Sequence, residues 1–203
     1  MGLKLVILGW WTPKYVIRRE LSDVSDQTTA TLESLLVKYA HETSSNPRKP
    51  LQSKDITKQR TEMAETHARL VEALEAALGR EEAVKIGREA LFSVGKSLGK
   101  EARRKLGVGE SREDLIRAAK ILYRVLGIDF QFELHNSKDA TIIVDECALS
   151  KKYSELTCKV LSATDEGVIK GLQPSCSMNF TEFMTSGCSK CRASIIFNKE
   201  SAK

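Results

Sequence analysis

The chain contains 203 residues, the size of one large domain or of one domain with an appended segment. Hydrophobic residues make up 41% of it and charged residues 29%, a composition that excludes a disordered or fibrous protein. The net charge is only +5 and aromatic residues amount to 6%, so the composition argues against a nucleic-acid partner.

Apolar runs in the chain are short. Residues 3–11 form an apolar stretch near the N-terminus, whereas a membrane-spanning helix needs about 20 such residues. The stretch also lacks the long apolar region and cleavage site of a signal peptide. We therefore expect a cytoplasmic protein without a membrane partner, whose five cysteines are mostly reduced.

The N-terminal 50 residues are predicted to form an arm and one helix. We expect residues 1–26 to form a strand or an arm that packs on the main body or on a second subunit. Leucines spaced for one helix face predict a helix over residues 28–42. Prolines and small polar residues over 43–50 are typical of a linker, so the main domain is predicted to span residues 51–203.

Three helices are predicted after the linker. The first spans residues 53–78 and ends at Gly79, and the second begins at Glu81. The third follows Ser111, a favourable N-cap residue, and ends at Gly127.

The second of these helices carries Gly87, Gly95 and Gly99. A glycine inside a helix costs roughly 1 kcal/mol relative to alanine. Three of them therefore indicate close approach by another backbone or by a ligand.

The C-terminal half changes to strand periodicity. Residues 128–134 alternate between apolar and polar, and residues 141–144 form the returning strand of a hairpin. A helix is predicted over 149–172, followed by a second hairpin with strands at 178–184 and 193–197. This order indicates an α+β fold in which helices pack on an antiparallel sheet of two hairpins.

The cysteines offer a candidate metal site. Cys188 and Cys191 lie in a tight turn between two predicted strands, where both thiolates can point at one metal ion. Zinc needs four ligands, and Cys176 and Cys158 can reach the turn if the preceding helix packs on the hairpin. We predict one structural Zn²⁺ on Cys158, Cys176, Cys188 and Cys191, with Cys147 free. In the alternative, Cys158 is a buried apolar residue and the turn cysteines are reduced or redox-active.

A catalytic cysteine is the competing hypothesis, and it requires a nearby base. His135, at the end of a predicted strand, is a candidate partner for Cys147, although a strand-end histidine is more often a surface residue. The adjacent acids Asp165 and Glu166 point apart, and we expect both on a solvated face. The chain contains no P-loop, dinucleotide-binding or HExxH motif.

Three segments resemble the 4-vinyl reductase domain family: the glycine-spaced helices at Glu89–Gly99 and Asp165–Leu172, and the closing turn Gly187–Cys191. The resemblance covers about residues 60–198. It implies a domain that binds a small hydrophobic or aromatic molecule between helices and sheet, often as a homodimer with a sensor or accessory role.

Some related sensor domains bind zinc through a helix cysteine, a Glu-x-x-Cys motif and a final cysteine. Cys158 and Cys191 match the first and the last of these. Phe180 and Phe183 stand where the Glu-x-x-Cys motif would fall, so other cysteines would have to substitute for it.

The segments Gly171-Leu172-x-Pro174 and Gly187-x-x-x-Cys191 are also similar to the amino-thiazoline-carboxylate hydrolase-like family. Three functional hypotheses follow. The first is a domain that binds a small apolar ligand without catalysis. The second is a thiol-dependent hydrolase of a small cyclic, thiazoline-like substrate, with Cys147 or Cys176 as nucleophile. The third is an interaction protein that dimerises through its N-terminal arm.

Overall fold

The computed structural model describes residues 5, 7, 8, 11–40, 51 and 53–198. The helices are α1 Lys14–Ala40, α2 Ile56–Leu78, α3 Arg80–Leu106, α4 Arg112–Leu126 and α5 Glu155–Leu172. The strands are β1 Ile128–Leu134, β2 Asp139–Cys147, β3 Cys176–Glu182 and β4 Cys191–Phe197. Within these described residues, no helix combines the length and apolar character needed to cross a membrane.

Local capping explains where the helices begin and end. The Asp55 carboxylate accepts a hydrogen bond from the Lys58 amide, and the Ser111 hydroxyl accepts one from Asp114. Gly127 adopts a positive φ of 72° and ends α4. The predicted end of α2 and both predicted ends of α4 are therefore confirmed, whereas α2 begins at Ile56 and not at residue 53.

The N-terminal region differs from the sequence prediction. The strand expected within residues 1–26 is wrong from Lys14 onward, because α1 begins there instead of near residue 28. Ile17, Leu21 and Leu32 are buried along one face, which continues the helical spacing beyond the predicted start. Leu21 packs in the same cluster as Met63 of α2, so this segment packs on the main body. Residues 43–50 lie outside the described residues, and the division at residue 50 stays a prediction.

The four strands form one antiparallel sheet in the order β1-β2-β4-β3. The two predicted hairpins, β1-β2 and β3-β4, meet along β2 and β4, where Ile142 pairs with Ala193. Both residues lie in the core with Leu115 of α4 and Ile169 of α5. The predicted α+β architecture, with helices packed on a sheet of two hairpins, is confirmed.

Helices α3 and α5 make the most intimate contact in the fold. A Cβ atom added to Gly95 would overlap the carbonyl oxygen of Thr164, and one added to Gly167 would overlap that of Phe92. Gly99 and Gly171 meet the opposite helix in the same way. Of the two explanations offered for the helix glycines, close approach by another backbone is confirmed.

We predict that Gly95→Ala lowers the free energy of unfolding by about 2–3 kcal/mol, because the new methyl group meets backbone that cannot rotate away. Gly87→Ala in the same helix is the matched control. Its Cβ would lie 2.8 Å from a side-chain methyl of Val160 and not against backbone, so we expect a smaller loss of stability. Chemical denaturation of both variants tests this, and equal stability of the two would contradict it.

Candidate functional site

Two adjoining cavities lie between the helices and the sheet. The inner cavity, about 90 Å³, is bounded by α1, α2, α4, α5 and the strands. The outer cavity, about 80 Å³, lies between α1, α3, α4 and α5. Both are lined by Val24, Tyr123, Leu126, Thr164 and Asp165, which we call the shared wall.

The inner cavity is mainly apolar. Its walls include Met63, Leu126, Val144, Leu161, Phe180 and Phe183. The rings of Phe180 and Phe183 stack with their centroids 5.7 Å apart. A concave apolar space with a few polar groups is the usual form of a small-molecule site.

Glu166 anchors α5 to its neighbours. Its carboxylate lies 2.7 Å from the Arg88 guanidinium of α3 and accepts a hydrogen bond from the Phe180 amide of β3. Arg88 also donates to the Lys159 carbonyl and the Ser162 hydroxyl on α5. This buried ion pair fixes the turn of α5 that carries the shared wall.

Asp165, next in sequence to Glu166, has no such partner. It forms no hydrogen bond or ion pair with another residue in the described part of the chain. Its side chain is only partly buried by surface area because it borders the cavities. Loss of hydration, with repulsion from Glu166, raises the pKa of Asp165 to about 7. The Asp165 carboxyl group is therefore partly protonated and partly ionised near neutral pH.

Two hydroxyl groups beside Asp165 are also unpaired. Tyr123 is 5% exposed and Thr164 is 8% exposed, yet neither hydroxyl has a hydrogen-bond partner among the described residues. Buried polar groups are normally hydrogen-bonded, so each unpaired one requires an explanation. Here both residues line the cavities, where a bound molecule can supply the missing partner.

The far side of the inner cavity holds a satisfied chain of hydrogen bonds. The Thr28 hydroxyl donates to the Val24 carbonyl at 2.7 Å, so it accepts the Nε2–H of His67 at 2.8 Å. The Nδ1 of His67 then accepts from the Tyr153 hydroxyl at 2.8 Å. Burial lowers the pKa of His67 to about 4, so the ring is neutral at physiological pH.

The four predicted zinc ligands are not brought together. Cys176 pairs with Phe197 at one end of β4, whereas Cys191 begins that strand six residues away, about 20 Å along it. No three His, Cys, Asp or Glu side chains in the described residues are arranged to hold a metal ion. The residues therefore do not fit the predicted site. Elemental analysis of the purified protein remains its direct test.

Three cysteines instead line the inner cavity: Cys147, Cys158 and Cys191. Burial raises the pKa of Cys147 to about 11 and that of Cys158 to about 12, so both are neutral thiols. The pKa of Cys176, outside the cavity, is raised to about 11 for the same reason. His135 hydrogen-bonds Thr141 near the opposite end of the β1-β2 hairpin from Cys147, so the suggested Cys147–His135 pair is wrong.

The sequence prediction missed the residues of the shared wall. It placed Asp165 and Glu166 on a solvated face, and this is wrong because both contact the interior. Leu161 and Ile169 lie four residues before and after Asp165. That spacing puts Asp165 on an apolar helix face, and it was the signal in the sequence that Asp165 faces the interior.

We predict that Tyr123→Phe raises the free energy of unfolding of the ligand-free protein by about 1 kcal/mol, because it removes an unpaired buried hydroxyl. Tyr153→Phe is the control. It should lower stability by about as much, because it removes the donor to His67. Thermal denaturation measures the stability of both variants. Destabilisation by Tyr123→Phe would show that the Tyr123 hydroxyl does have a hydrogen-bond partner in the ligand-free protein.

Known structures share this fold. The palmitate-bound trafficking protein particle complex subunit 3 from Naegleria fowleri has a TM-score of 0.54 and 14% identity, over 71% of this chain and 98% of that chain. The phenol-bound sensory domain of the transcription activator PoxR has a TM-score of 0.53 and 14% identity, over 82% of this chain and 90% of that chain. At this identity the similarity concerns the fold alone.

Comparison with curated proteins gave no significant match. The family model for L-2-amino-thiazoline-4-carboxylic acid hydrolase matches residues 59–194, about two thirds of the chain. This segment runs from α2 through most of β4 and carries Tyr123, Thr164 and Asp165. The resemblance read from the glycine and cysteine motifs is thereby confirmed, and the chain belongs to the L-2-amino-thiazoline-4-carboxylic acid hydrolase family.

Proposed function

We propose that the protein binds a small molecule with an apolar body and one polar group. The apolar body occupies the inner cavity, and the polar group contacts Asp165, Tyr123 and Thr164 at the shared wall. The observation that carries this proposal is the unpaired state of these three side chains beside a mainly apolar space.

The cavity dimensions limit the ligand to a small one. An engineered cavity of about 150 Å³ in another protein accepts benzene. The inner cavity is smaller, but it adjoins the outer one at the shared wall. A single ring with a short substituent is therefore the expected size. The phenol in the structurally similar sensory domain is a molecule of this kind.

We predict that purified protein, extracted and analysed by mass spectrometry, releases a bound small molecule, and that phenol or benzyl alcohol raises its melting temperature. Cys158→Phe should abolish the thermal shift, because the added ring fills the inner cavity. Cys188→Phe is the control, since Cys188 lies outside both cavities. Repeated absence of any ligand and of any thermal shift would overturn the proposal.

Hydrolysis is a second candidate function, favoured by the pKa of about 7 at Asp165. Such a value suits a general base at neutral pH. In this scheme the carboxylate of Asp165 takes a proton from water, whose oxygen attacks the thiazoline carbon between nitrogen and sulfur. The electron pair of the C=N bond moves onto the nitrogen as the oxygen attacks. The carbon–sulfur bond then breaks with its electron pair on sulfur, and the added hydroxyl becomes the carbonyl oxygen of a urea group as its proton passes to the nitrogen. Asp165 returns the first proton to the departing sulfur. The cavity thiols Cys147 and Cys158 are neutral because burial raises their pKa, and they are not assigned a role in this scheme.

For this candidate we predict that Asp165→Asn reduces turnover of 2-aminothiazoline-4-carboxylate by about a hundredfold or more. Cys147→Ser and Cys176→Ser should retain activity. Asp145→Asn, which removes an exposed acid paired with Lys190, controls for the change in net charge. Full activity of Asp165→Asn would eliminate the scheme, and loss in a cysteine variant alone would restore thiol catalysis.

A further inference from the structure

The outer cavity provides a route from the surface to the shared wall. Asp23, Gln27 and Lys105 line it and are exposed, whereas Val168 and Ile169 line its apolar interior. It reaches Asp165 at the wall that it shares with the inner cavity. A ligand in the outer cavity therefore contacts the Asp165 carboxyl group at this wall.

The charges along this route are mainly negative. Glu20, Asp23 and Glu101 line the outer cavity, and Lys105 is the one basic side chain among its described lining residues. The Lys105 ammonium is already engaged, at 2.9 Å from Glu101 and 3.8 Å from Glu20. Glu20 also lies 2.6 Å from the Arg19 guanidinium, so Glu20 and Glu101 are both paired. The excess negative charge of the route is that of Asp23 and of Asp165 at the shared wall, and it favours a cationic molecule over an anionic one.

The described residues that line the inner cavity include no cationic side chain to balance the charge of an anion. Asp165 is the only acidic residue among its described lining residues, and no lysine or arginine lines it. His67 is neutral, and both of its ring nitrogens are already hydrogen-bonded. A carboxylate ligand, including the substrate of the hydrolysis scheme, would face Asp165 without a compensating cation, so the amine inference counts against that scheme.

Thr164 differs from most helical threonines of this protein. Thr28, Thr31, Thr61 and Thr66 each donate to the carbonyl four residues earlier. The Thr164 hydroxyl makes no such bond and stays unpaired at the shared wall. Its oxygen is therefore available to accept a hydrogen bond from a ligand.

An ammonium group carries three N–H donors and no acceptor. The shared wall presents three acceptors without partners in the described residues: the Asp165 carboxyl, the Tyr123 hydroxyl and the Thr164 hydroxyl. Resting on the proposed ligand-binding function, we infer that the ligand is a small apolar amine that places its ammonium on these three groups.

The test compares three probes that share one ring: benzylamine, benzyl alcohol and benzoate. Calorimetric titration of the full chain at about pH 8, above the pKa of Asp165, should give benzylamine at least about tenfold higher affinity than benzyl alcohol. Benzoate should show no binding. Asp165→Asn should remove the preference for benzylamine, because it weakens benzylamine binding more than benzyl alcohol binding.

Two further variants complete the test. Thr164→Val keeps the side-chain shape and should weaken benzylamine about threefold to tenfold, because one acceptor is lost. Asp145→Asn should leave benzylamine binding unchanged, which controls for net charge. Equal or tighter binding of benzyl alcohol or benzoate by the unaltered protein would overturn the amine inference and leave the cavity as a ligand site. Failure of all three probes to bind would count against the cavity proposal itself, and the amine inference would fall with it.

Discussion

The backbone contact between α3 and α5 is the constraint on which the rest of the structure depends. Four glycines let the two helices approach until carbonyl oxygens of one helix occupy the positions that side chains would fill on the other. The contact fixes the rotation of α5 about its axis. Asp165 lies two residues before Gly167, about 200° around the helix, so it points away from the contact line. The geometry of the candidate site therefore follows from packing that involves none of its own side chains.

Glu166 and Asp165 are adjacent in the sequence but differ in their electrostatic surroundings. Glu166 has a guanidinium at 2.7 Å and a backbone amide donor, so its burial is compensated. Asp165 has neither, and its raised pKa reflects that difference. An unpaired, partly buried acid next to two unpaired buried hydroxyls costs stability, and at the cavities a bound molecule can offset that cost. The Glu166 carboxylate thus stabilises the position of α5, whereas the Asp165 carboxyl group remains available to a bound molecule.

Much of the fold could be predicted from local signals. Alternation over residues 128–134, the Ser111 cap and the closing Gly187 turn are short-range features, and each gave the correct element. The site could not be predicted in the same way. Tyr123, Thr164 and Asp165 belong to no sequence motif. What distinguishes them is that their polar groups have no hydrogen-bond partner among the described residues, and only the packed structure shows this. The distance between Cys176 and Cys191 could not be predicted either, because it is set by strand register, which places the two residues at opposite ends of β4.

Helix α1 supplies Val24 to the shared wall and Glu20, Asp23 and Gln27 to the outer cavity, yet it lies wholly before the segment that matches the family. The glycine contact between α3 and α5 lies wholly within that segment. Substitutions in α1 can therefore alter which molecules reach Asp165 without disturbing the helix pair that positions it. The lining of the cavities and the helix pair that positions Asp165 are thus open to separate change: a substitution in α1 alters the approach to Asp165, and a substitution at one of the glycines alters the scaffold.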